Sequence, residues 1–103
     1  MGQPVCRVND TCSGVCTAHD PPEAFVGTFT EGSAVYTVDG IPVVLVGHKG
    51  TSSCGHGIQA VTGSAVTDVN GVPVVRVGDQ VTMILGGAGG GVVDSGSPNV
   101  DSN

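Results

Sequence analysis

Three stretches of this chain repeat one pattern of apolar and polar positions. They are Pro4-Val5-Cys6-Arg7-Val8-Asn9-Asp10, Pro42-Val43-Val44-Leu45-Val46-Gly47-His48 and Pro73-Val74-Val75-Arg76-Val77-Gly78-Asp79. Two of them end a longer match, in which Gly32–Val44 aligns with Gly63–Val75. Inside that match Asp39-Gly40 and Asn70-Gly71 are flanked by β-branched residues, the signature of a type I′ hairpin turn. The register follows from the turn. Val38 faces Ile41 and Val69 faces Val72 as hydrogen-bonded pairs, so Pro42 and Pro73 fall at the next, non-hydrogen-bonded pairs. Proline's missing N–H costs nothing there. Cys6 aligns with Val44 and Val75, which marks it as a small buried hydrophobe.

The two ends of the chain read as halves of the same unit. Gly2–Asp10 matches the part after a turn glycine, and Gly96-Ser97-Pro98-Asn99-Val100 matches the part before it. Pairing of the two halves completes a third hairpin and closes a pseudo-three-fold body. The expected fold is all-β, one small domain over residues 1–103, with three loops at 11–31, 49–62 and 80–95. The glycine-rich stretch 86–91 lacks the Lys-Ser/Thr ending of a phosphate loop and reads as a tight or flexible loop.

Composition sharpens this picture. Phe25, Phe29 and Tyr36 are the only aromatics, and 18 glycines stand among 103 residues. So thin a core calls for a staple: a metal, disulfides or oligomerisation. Nine acids against three bases give a net charge of −6. That excludes a phosphate-neutralising surface, so no nucleic-acid partner is expected. No apolar run reaches the roughly 20 residues of a spanning helix, and the N-terminus has no signal-peptide pattern. Synthesis in the cytoplasm is the expectation. More valines are present than such a core can bury, so some of Val43, Val74, Ile84 and their neighbours are expected on an exposed patch.

The candidate chemistry is metal ligation. All three histidines lie in or beside the first two loops, and Cys54 and His56 are two apart, on one side of an extended segment. His19, His48, Cys54 and His56 make a plausible tetrahedral zinc set. Four protein ligands close the site, which favours a structural role over hydrolysis. Cys12 and Cys16 remain open alternatives: either replaces Cys54, or the two pair as a short-loop disulfide. No nucleophile–base pair with an orienting third group is evident, and the acids are scattered singly. No enzyme activity and no small-molecule substrate are expected. A small zinc enzyme is the rival reading, and would need an open coordination position.

These repeats resemble the proline-alanine-alanine-arginine (PAAR) repeat family, with Pro-Val-Cys-Arg-Val-Asn-Asp and Pro-Val-Val-Arg-Val-Gly-Asp as the matching segments and Gly-Ser-Pro-Asn-Val at the end. The resemblance covers nearly the whole chain. It implies a small cone that caps the trimeric β-helical spike of a type VI secretion machine or a contractile phage tail, one cap per trimer. It further implies mechanical contact with the target membrane, assembly on the spike or baseplate, and outward delivery. The family's structural zinc, near the apex on three histidines and one cysteine, carries over to His19, His48, His56 and Cys54. Asn9 and His48 depart from the glycine and acid of the other copies. Some relatives carry fused toxins, for which this chain has no room; a role as effector adaptor is the second alternative.

Overall fold

The computed structural model describes residues 2–102. It is all-β, with no helix among the described residues. Among the described residues twelve strands form two kinds of hairpin around a central ring of backbone.

The repeat builds the short hairpins. Strand β4 (Thr37–Val38) pairs with β5 (Ile41–Pro42), and β8 (Asp68–Val69) with β9 (Val72–Pro73). Thr37 faces Pro42, Val38 faces Ile41, Asp68 faces Pro73 and Val69 faces Val72. Asp39, Gly40, Asn70 and Gly71 all have positive φ, between 54° and 85°, as a type I′ turn requires. The chain ends supply the third hairpin: β1 (Gln3–Pro4) pairs with β12 (Asp101–Ser102), with Pro4 opposite Asp101.

The three Pro-Val segments then close on one another. Cys6 N–H donates to the Val75 carbonyl at 2.8 Å, Val75 N–H to Val44 at 3.0 Å, and Val44 N–H to Cys6 at 3.0 Å. This is a cyclic, three-fold ring made by one chain. A second cycle runs Val8 to Pro42, Val46 to Pro73 and Val77 to Pro4. Side chains alternate across the ring. Val5, Val43 and Val74 turn to a lower core with Val38 and Leu45. Cys6, Val44 and Val75 turn to an upper core with Phe29, Ile58 and Val93. Val43 and Val74 are thus fully buried, against the expectation of an exposed patch, and Ile84 is half-buried. The ring floor gives each valine a core to enter. Val35 and Val66, at equivalent places just before the short hairpins, are instead over 70% exposed, at 73% and 72%.

The three stretches read as loops are strands. β2 (Thr11–Cys16), β3 (Glu23–Phe29), β6 (Lys49–Ser52), β7 (Gly57–Ala60), β10 (Gln80–Ile84) and β11 (Gly89–Val93) close into a six-stranded antiparallel barrel. Glycine disfavours strands in isolation, but here the strands approach too closely for side chains. A Cβ at Gly50 would overlap the Thr28 carbonyl oxygen, and one at Gly91 the Ser13 carbonyl oxygen. The ring seals one end of the barrel through Asn9, Gly47 and Gly78, whose N–H groups donate to Phe29, Ala60 and Val93. The hairpin tips 17–22, 53–56 and 85–88 meet at the other end of a body 38 × 26 × 21 Å across.

Candidate metal centre

At the barrel's open end the tips gather Cys16, His19, Cys54 and His56, whose ligand-type atoms all lie within 4.8 Å of one another. Cys16 ends β2, and its inward side of that strand also carries the buried Cys12. His19 lies three residues on, in the first tip. Cys54 and His56 lie in the second tip, which turns at Gly55 with φ 89°. The third tip adds no ligand. It closes the site sideways: a Cβ at Gly87 would sit 2.9 Å from the His56 Cβ, so glycine lets the tip press against that ring.

The distances fit a tetrahedral ion. His56 Nδ1 is 3.4 Å from Cys16 Sγ and 3.8 Å from Cys54 Sγ. Ligand edges around an ion with bonds of about 2.0–2.3 Å come to about 3.3–3.8 Å. The His19 and His56 ring centroids are 5.1 Å apart. His19 Nε2 is buried and has no hydrogen-bond partner among the described residues, with Glu23 Oε2 at 3.6 Å. A buried, unpartnered ring nitrogen is costly unless something binds it. A metal ion between these four groups would satisfy it.

The sulfurs differ in reactivity. The Ser52 hydroxyl, 3.2 Å from Cys54 Sγ, is the main cause that lowers the Cys54 thiol to about 6; the His56 backbone and the two imidazoles add to it. Burial pushes the Cys12 thiol up to about 11 and raises Cys6 further still. Cys6 and Cys12 lie outside the group and pack in the upper core.

Three of the four expected ligands therefore come together, and His48 falls outside the group, with Cys16 in its place. The reason is positional. His48 stands where the other copies have Asp10 and Asp79, and it does their work. Asp10 Oδ2 accepts the Arg7 N–H at 2.8 Å and Asp79 Oδ2 the Arg76 N–H at 2.7 Å; His48 Nδ1 accepts the Leu45 N–H at 3.0 Å. The four-residue strand β6, at about 3.3 Å per residue, then separates it from the tip. Cys12 and Cys16 are not paired either. Four residues apart on one strand, their Cα atoms are about 13 Å apart, beyond the roughly 7 Å a disulfide spans. Cys16, an open alternative to Cys54 in the sequence, stands beside Cys54 instead of replacing it; Cys16-Thr17-Ala18-His19 offers a thiol and an imidazole at short spacing, as Cys54-Gly55-His56 does.

Comparison with protein-family models matches residues 19–83 to the PAAR motif. This chain belongs to the PAAR-motif family. The matched span holds the second and third Pro-Val segments and three of the four clustered ligands; Cys16 and the terminal half-repeats lie outside it. PAAR-motif proteins are structural and are associated with the spike tips of contractile injection systems. A search of curated proteins finds no match to the chain.

Proposed function

We propose that this PAAR-motif protein caps and sharpens the trimeric β-helical spike of a contractile tail or type VI secretion machine, one copy per trimer. The observation that carries the reading is the cyclic ring of Cys6, Val44 and Val75. A β-helix ends in unpaired backbone groups, an edge that has to be covered. A single chain that repeats one hairpin three times about an axis offers each of three subunits the same partner. Val35 and Val66 supply apolar contacts at two of the three equivalent sites, with Asn99 at the third. The cap rides on the spike, leaves the cell with it, and touches the target membrane mechanically.

The metal belongs at the opposite end, and zinc fits it best. Cys16, His19, Cys54 and His56 supply two thiolates and two imidazoles, a set whose charge a divalent ion cancels. Bound there, zinc would tie the first hairpin tip to the second at the outer edge of the upper core, which Cys16 enters and Cys54 packs against. All four positions are then protein ligands, with none open for a hydrolytic water. The test is co-expression with the cognate spike, then native mass measurement. The expected complex holds one cap per spike trimer. Three caps per trimer, or no complex, overturns the proposal.

A further inference from the structure

The metal group contains two sulfurs on different hairpins. Cys16 ends β2, while Cys54 lies in the 53–56 turn, and their sulfurs belong to a set with all mutual distances within 4.8 Å. All four cysteines are free. We propose that Cys16 and Cys54 form a metal-gated disulfide: with a metal bound they are ligands, and after its loss in an oxidising medium they join as a cross-link between the first two tips. The inference rests on the metal reading above.

The geometry allows the change with little movement. A disulfide needs an S–S distance of about 2.05 Å, so the sulfurs must close by less than about 3 Å. Rotation of one side chain between staggered χ1 wells moves its sulfur by about that much. Cys54 is half-exposed and next to Gly55, in a turn where a Cβ on that glycine would meet open space. Cys16 is fully buried, as are Cys6 and Cys12. Of the four, Cys54 is the one an outside oxidant reaches, and Cys16 is the sulfur that Cys54 reaches.

The oxidant is a small-molecule disulfide such as oxidised glutathione. The Cys54 thiolate attacks one of its sulfurs, forming a mixed disulfide and expelling one glutathione thiolate. The Cys16 thiolate then attacks Cys54 Sγ and expels the second. Two electrons pass from the cysteine pair to the oxidant, and the two cysteine protons end on two glutathione thiols. The cross-link occupies both sulfur ligands, so metal cannot return until a reductant reopens it. A tip passing from a reducing cytoplasm to an oxidising exterior would keep its hairpins joined by one bond or the other.

The test uses the wild-type chain, loaded with zinc or stripped by chelator, then incubated with oxidised glutathione. The stripped protein should drop from four titratable thiols to two, with a mass lower by two hydrogens. Non-reducing peptide mapping should join the Cys16 and Cys54 peptides. The oxidised protein should take up no zinc until reduced, and the loaded protein should keep its four thiols. Four thiols after stripping, a stable glutathione adduct on Cys54, a link through Cys6 or Cys12, or equal oxidation with and without zinc each overturns the proposal. A chain that binds one zinc but never forms the link leaves the metal site standing and removes only the switch.

Discussion

At position 48 a histidine does the work of an aspartate. The ring nitrogen takes the backbone N–H of Leu45 as Asp10 and Asp79 take those of Arg7 and Arg76. The copy has also lost its ion pair: Arg7–Asp10 and Arg76–Asp79 lie at 3.0 Å, while Leu45 and His48 have no such bond. His48→Asp should therefore leave metal content unchanged, whereas Cys16→Ser and His56→Ala should each abolish it; elemental analysis of purified protein decides. Adding Leu45→Arg to His48→Asp rebuilds the third pair and should raise stability by about 0.2–1 kcal/mol in denaturant unfolding, the usual range for partly exposed pairs. Acid should act through Cys54. Its folded pKa, about 6, is below the ordinary thiol value of 9.0. In metal-free protein its stabilising contribution is thus complete above pH 9 and is lost as the pH falls through 6. Melting temperature across that window, with Ser52→Ala shifting the thiolate absorbance midpoint upward, checks the sign and its cause.

The short hairpins were legible at the level of elements because local chemistry dictates them: Asp39-Gly40 and Asn70-Gly71 set the turns, and Pro42 and Pro73 set the register. Even the terminal hairpin was readable, since the two half-repeats keep the same spacing. The barrel was not. Strands such as Gly89–Val93 carry no alternation, and what holds them is the close approach of neighbours far away in sequence. The ligands divide the same way. His56 and Cys54 are local neighbours, but Cys16 joins them only once β2 closes the barrel. A consequence separates two kinds of glycine. Gly50→Ala drives a methyl into the Thr28 carbonyl and should cost about 2 kcal/mol or more, as overpacking does. Gly40→Ala meets open space and pays only for its positive φ, about 1 kcal/mol. Equal losses in urea unfolding would mean that strand proximity is not what selects glycine. Ending the chain before Gly96 strips the partner of β1 and the bonds Ser97 N–H to Val5 O and Val5 N–H to Val100 O. It should lower both melting temperature and solubility; an unchanged melting temperature would leave the third hairpin without a structural role.

Across the whole molecule stability is graded from one end to the other. The ring of Cys6, Val44 and Val75 lies between two cores and has every backbone group in the cycle paired. The far tips have turns, small residues and the exposed Leu85, and no apolar cluster of their own. A metal on Cys16, His19, Cys54 and His56 would replace there the packing that aromatic residues otherwise provide, and its binding would be coupled to folding of the tips. Removing the metal should therefore open the molecule from one end. Hydrogen exchange after chelation should speed up by an order of magnitude or more at amides of 53–57 and 85–88, while the N–H groups of Cys6, Val44 and Val75 keep their protection. The pattern follows from where the two kinds of cohesion would lie: a backbone ring closed by hydrogen bonds at the base, and, in the proposed metal-bound state, ligands from two separate hairpins at the tip. Uniform acceleration through ring and tips would instead mean that the metal holds the whole fold, and the division into a self-sufficient base and a metal-dependent point would be wrong.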